Sequence, residues 1–126
     1  MKRKIALAAA AMGLAMAGTP ALAHHSFAMF DRDRTLTLVG TIKEFQWTNP
    51  HSWIQINAPN DKGVVQEWSI ESLSTGTLSR QGWRPKTFQP GDKVTIKIWP
   101  MKDGSAGGSF VGAILANGQT LGKMEP

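Results

Sequence analysis

From Thr35 onward, apolar and polar residues alternate in short runs broken by turn residues, and the pattern predicts strands. Thr35 to Trp47, "TLTLVGTIKEFQW", puts Leu36, Leu38 and Ile42 on one face and Thr37 and Val39 on the other. Gly40 falls inside this run, where a bulge or a sharp barrel bend is expected. Thr48-Asn49-Pro50 reads as a turn into a second strand, His51 to Ala58. There Ile54, Ile56 and Ala58 face one way, and His51, Trp53 and Gln55 the other. A loop at Pro59 to Gly63 leads to a third strand, Val64 to Ile70, with Trp68 and Ile70 on one face.

The period then changes. "ESLSTGTLSRQGW" offers Ser72 or Ser74 as an N-cap, Leu73 and Leu78 as apolar contacts and Gly82 as a stop, so a short helix is expected. "QPGDKV" turns into a fourth strand in which Val94, Ile96 and Ile98 alternate with Thr95, Lys97 and Trp99. A Gly-rich connection, a fifth strand from Ser109 to Ala116, a turn at Asn117-Gly118 and a short Gln119 to Leu121 follow. Three strands, a helix and two strands is the element order of a small five-stranded OB-like barrel. An open β-sandwich gives a similar pattern. No internal repeat interrupts this order.

The first 23 residues read as a cleaved secretory signal. Lys2, Arg3 and Lys4 precede a 14-residue apolar run, Ile5 to Gly18, and Ala21-Leu22-Ala23 supplies the small residues of a cleavage site. No second apolar run long enough to span a bilayer follows, so no membrane span is expected after cleavage. Cleavage leaves a single domain, residues 24–126, in an oxidising periplasmic compartment. The chain has no cysteine, so its stability is expected from a packed core rather than from disulfides. The +5 net charge is largely the signal's; without it 11 basic residues face nine acidic ones, scattered rather than clustered. That balance argues against a nucleic-acid partner.

Cleavage after Ala23 gives His24 a free α-amine beside its imidazole, a pair of nitrogens able to chelate one metal, with His25 next to it. His51 is the third histidine of the chain. Such a thiol-free nitrogen set favours Cu(II). Apolar Phe27 to Phe30 is expected to pack the new N-terminus on the barrel beside His51. The ligand type and position resemble the histidine brace of copper monooxygenases and of some periplasmic copper carriers. Met29 and Met101 are candidate thioether ligands, a set better suited to Cu(I) and similar to that of small periplasmic OB-fold copper chaperones. Structural readings stand beside these. A methionine also fills cores, a strand histidine also ties down a turn, and any His-His terminus chelates Cu(II) weakly.

Catalysis has little support. No GxSxG elbow occurs, "GGSFVG" is no phosphate loop, and no tyrosine is present. Glu67 and Glu71 lie about 13 Å apart along a strand, too far for a carboxylate-pair hydrolase, and read as a solvated face. The chain is therefore read as no enzyme. The competing reading is an OB-type binding module or accessory subunit for an envelope protein partner, peptide or glycan, with Trp47, Trp53 and Gln55 as binding residues.

Taken together, "AHHSFAMFD", "GTIKEFQWTNPHSWI", "LSRQGW" and "PGDKVTIKIWP" resemble a family of small exported bacterial proteins of unknown function, over His24 to about Leu121. The resemblance implies export and a small barrel and transfers no mechanism. The family pattern includes the positions of His24, His25 and His51.

Overall fold

The computed structural model describes residues 27–125, so the signal segment, His24 and His25 lie outside the described residues. A short 3₁₀ turn at Phe27–Met29 leads into β1 (Leu36–Gln46), β2 (Trp53–Pro59) and β3 (Val65–Glu71). Helix α1 (Thr75–Arg80) follows, then β4 (Lys93–Pro100), β5 (Gly107–Ile114) and β6 (Thr120–Gly122). The sheet order is β3-β2-β1-β4-β5-β6, and a parallel β3–β5 pairing closes the first five strands into a barrel. That closure decides for the OB-like barrel over the open sandwich.

Strand β1 serves both halves. Leu36 to Thr41 pair with β4 and Thr41 to Gln46 pair with β2, so the strand changes partners next to Gly40. A Cβ there would fall on the Asn57 carbonyl oxygen and lie 2.9 Å from the Ala58 Cβ. The glycine thus marks the bend through close backbone approach. The bulge is elsewhere, where the β1–β2 register shifts between Ile42 and Glu44.

The barrel interior holds the residues the alternation placed there: Leu38, Ile42, Ile54, Ile56, Ile70, Ile96 and Ile98 are all buried. Trp68 is buried with them and its indole N–H donates to the Ala58 carbonyl at 3.2 Å, so a large apolar body enters the core with its polar atom paired. Leu78, Trp83 and Phe88, from α1 and the segment after it, are buried in the same core. Trp83 meets Phe110 edge-on at 4.9 Å and Phe88 at 5.5 Å, and Phe45 meets Phe88 at 5.3 Å.

The helix starts where a capping residue was expected. Ser74 is the N-cap, its hydroxyl accepting from the Thr77 N–H at 3.3 Å, and Gly82 follows the last turn at φ +89°. Strand β5 ends at Ile114, short of Ala116, because Leu115 N–H turns to the Gln119 carbonyl (2.8 Å) and closes the reversal into β6. No helix among the described residues is long and apolar enough to cross a membrane.

Candidate functional site

The turn before β2 and the loop after β3 are stitched together by residues close in sequence to His51. Ser52 is fully buried; its N–H donates to the Leu73 carbonyl (2.9 Å) and its carbonyl accepts from Ser72 N–H (2.8 Å). The Ser52 hydroxyl donates to the Thr48 carbonyl at 3.2 Å, and Thr48 Oγ1 donates to the His51 carbonyl at 2.8 Å. Asn49, whose bond to Pro50 is cis, accepts from both the N–H and the hydroxyl of Thr75 at 3.0 Å each, holding the start of α1 to this turn. These bonds continue the β2–β3 contact past the last ladder pair, Trp53 and Glu71. The His51 side chain is thereby fixed against the end of β3.

There its Nδ1 lies 3.1 Å from the Ser72 carbonyl oxygen and 3.2 Å from Glu71 Oε1. A carbonyl offers only lone pairs, so Nδ1 carries the hydrogen and donates. In the neutral ring this leaves Nε2 with its lone pair bare, the state in which an imidazole ligates a metal or accepts a proton. The side chain of His51 is 37% exposed and that of Glu71 9%, so the carboxylate stands behind the ring and away from water. Glu71 was expected on a solvated face with Glu67. Glu67 is on the surface, paired with Lys43 at 2.6 Å, but Glu71 is buried, with the ring of His51 against its carboxylate and Ser109 of β5 opposite it in the parallel pairing. That pairing with Glu67 raises the Lys43 pKa above the usual lysine value.

His51, Glu71 and Ser72 line a cavity of about 360 Å³ whose other walls are mostly apolar, among them Phe30, Trp83, Trp99 and Phe110. The register shows how part of the wall is made. Glu71 is opposite Ser109 on β5, and Ser109 is opposite Trp99 on β4, so the three stand in one row across the sheet. The Ser72 hydroxyl is buried without a hydrogen-bond partner among the described residues. Lys123, exposed after β6, stands at the cavity edge.

The N-terminal segment docks beside this cavity. Phe30 forms a bridge with Met101, Asp31 N–H donates to the Pro100 carbonyl (2.8 Å), and Lys102 N–H donates to the Met29 carbonyl (2.9 Å). Phe30 is buried and shares the cavity lining with His51, and Arg32 lies over the Trp99 ring at 4.4 Å. The expected packing of Phe27 to Phe30 on the His51 side is therefore present at Phe30.

The remaining candidates scatter. Met29 is largely exposed and Met101 half-buried, and neither lines the cavity. Trp47 packs edge-on against Phe45 at 5.8 Å. Trp53 and Gln55 are half-buried on β2, with the Gln55 amide donating to Gln46 Oε1 at 3.3 Å. Neither tryptophan reaches the cavity, whose aromatic walls are Phe30, Trp83, Trp99 and Phe110 instead. Among the described residues no group of three or more His, Asp or Glu is placed to hold a metal. His24 and His25 lie outside those residues.

The model of a family of unknown function, DUF6152, matches residues 10–110. No curated protein matches the chain. Among solved structures, the mitochondrial single-stranded DNA binding protein Rim1 of S. cerevisiae is similar at 15% identity and a TM-score of 0.45, over 65% of this chain and 93% of that one.

Proposed function

The chain belongs to DUF6152, a family of unknown function, and on that premise we propose that it is an exported, periplasmic carrier of a transition metal, preferentially copper, and not an enzyme. One observation carries the reading. His51 is held by Glu71 and the Ser72 carbonyl with Nε2 bare, on the cavity that Phe30 also lines. A carboxylate or carbonyl on the far nitrogen of a histidine is the usual support of a metal-bound imidazole, fixing its tautomer and raising its basicity.

The missing donors are within reach. His25 is five residues before Phe30 and His24 six, so at about 3.3–3.6 Å per extended residue the reach is at most roughly 17–22 Å, shortened by the 3₁₀ turn at Phe27–Met29. His24 supplies amine and imidazole after cleavage at Ala23, and His25 or His51 completes a three-nitrogen set suited to Cu(II). Glu71 is the positioning residue. Met29 and Met101, near the docking bridge, are secondary candidates for Cu(I).

The test is a Cu(II) titration of the protein purified from cells expressing the full sequence, its N-terminus read by mass spectrometry. His51→Ala and a form with one extra residue before His24 accompany it. Tight one-to-one binding that weakens in both variants supports the site. Weak binding indifferent to His51 is ordinary peptide chelation and overturns it. The function would then be sought in an envelope protein, peptide or glycan partner met by Trp53 and Gln55.

A further inference from the structure

The proposed metal site uses one wall of the cavity and leaves most of it unexplained. Its volume, about 360 Å³, lies in the range of small-molecule sites. Four aromatic side chains, Phe30, Trp83, Trp99 and Phe110, supply flat apolar surface. The Glu71 carboxylate and the bare Nε2 of His51 only accept hydrogen bonds, and the Ser72 hydroxyl has no partner. A buried polar atom without a partner is costly; Glu71 and Nε2 take a donor and the Ser72 hydroxyl takes either a donor or an acceptor, so a hydroxyl brought by the occupant suits the set.

The charges nearby choose between donors. Lys123 lines the cavity and Arg32 lies over its Trp99 wall, so the one lining carboxylate is not surrounded by an excess of negative charge that would select an ammonium occupant, which unlike a coordinated metal ion would rely on charge alone. We infer that the cavity binds a small neutral aromatic molecule bearing one hydroxyl, of the phenol class, with the ring among the aromatic walls and the hydroxyl donating at Glu71. A phenol keeps its proton at neutral pH, as tyrosine does. This inference stands apart from copper. It needs neither the cut N-terminus nor a metal, and the hydrogen-bond acceptors it uses are Glu71 and its neighbours.

The experiment uses the purified protein after treatment with a chelator, so a failed copper titration leaves it untouched. Calorimetry and the indole N–H signals of Trp83 and Trp99 report binding of 4-ethylphenol, ethylbenzene and 2-phenylethylamine. The phenol is expected to bind below about 1 mM and at least about 10-fold more tightly than ethylbenzene, which brings no donor. Glu71→Leu, checked for folding by its circular dichroism, is expected to erase most of that difference. Phe110→Leu is expected to weaken both neutral ligands alike. Equal binding of phenol and ethylbenzene would show an unselective apolar hole and overturn the inference, as would tighter binding of the amine or no perturbation of Trp83 and Trp99 by any ligand.

Discussion

Glutamine at position 71 separates the charge behind His51 from the geometry that holds it. The amide keeps an oxygen able to accept from Nδ1, and the second acceptor, the Ser72 carbonyl at 3.1 Å, is backbone and survives the change. The ring should therefore stay in place with its hydrogen on Nδ1. What is lost is the negative charge 3.2 Å from that nitrogen, and with it part of the electrostatic support for a cation held at Nε2. Removing such a supporting group typically weakens metal affinity about 10- to 100-fold. Because Glu71→Gln keeps the hydrogen bond, the lower end applies, about 10-fold or roughly 1.4 kcal/mol. Fold stability should change by less than about 1 kcal/mol, since the lost charge-assisted bond is offset by not burying a carboxylate. Competitive Cu(II) titration measures the first effect, urea unfolding the second and ring ¹⁵N shifts the tautomer. Unchanged copper affinity in a folded variant, or a wild-type ring with its hydrogen on Nε2, would refute the reasoning.

Gly40→Ala should destabilise the barrel by about 3 kcal/mol, the upper end for overpacking, because the new methyl meets the Asn57 carbonyl and Ala58 at the bend of β1; an unfolding free energy from urea titration within about 0.5 kcal/mol of wild type would show that the bend tolerates a side chain. Asp103 accepts from the hydroxyl and N–H of Ser105, which lowers its pKa below the usual carboxylate value. Its contribution is present above the ordinary carboxylate pKa and is lost as pH falls through the lowered one, so the small stability gap between wild type and Asp103→Asn should close in acid urea titrations below about pH 4 and stay constant from pH 5 to 8.

The barrel was legible because period-two alternation maps directly onto an inside and an outside. Ile54, Ile56 and Ala58 were assigned to one face from spacing alone, and all three are buried. His51 was legible as a candidate, and the bonds of Thr48, Asn49 and Ser52 explain why its neighbours have the identities they do. Glu71 was not. Alternation places it on the outer face with Glu67, and it is the ring of His51, brought from before β2 to 3.2 Å from its Oε1, that covers it there. The cavity walls were hidden for the same reason. Trp99 on β4 and Phe110 on β5 are brought to Glu71 on β3 by a parallel pairing between strands 36 or more residues apart, which local pattern does not encode. Trp47 and Trp53, nearest His51 in sequence, went elsewhere.

The bridge between Phe30 and Met101 has a concentration built into it. In the proposed copper site, the six residues from Phe30 back to His24 reach at most about 22 Å, so His24 is offered to the cavity wall at an effective concentration on the order of tens of millimolar. A nitrogen ligand offered at such an effective concentration need bind only weakly by itself for the combined site to hold an ion firmly. Loosening the bridge would therefore cost affinity without removing a single ligand atom.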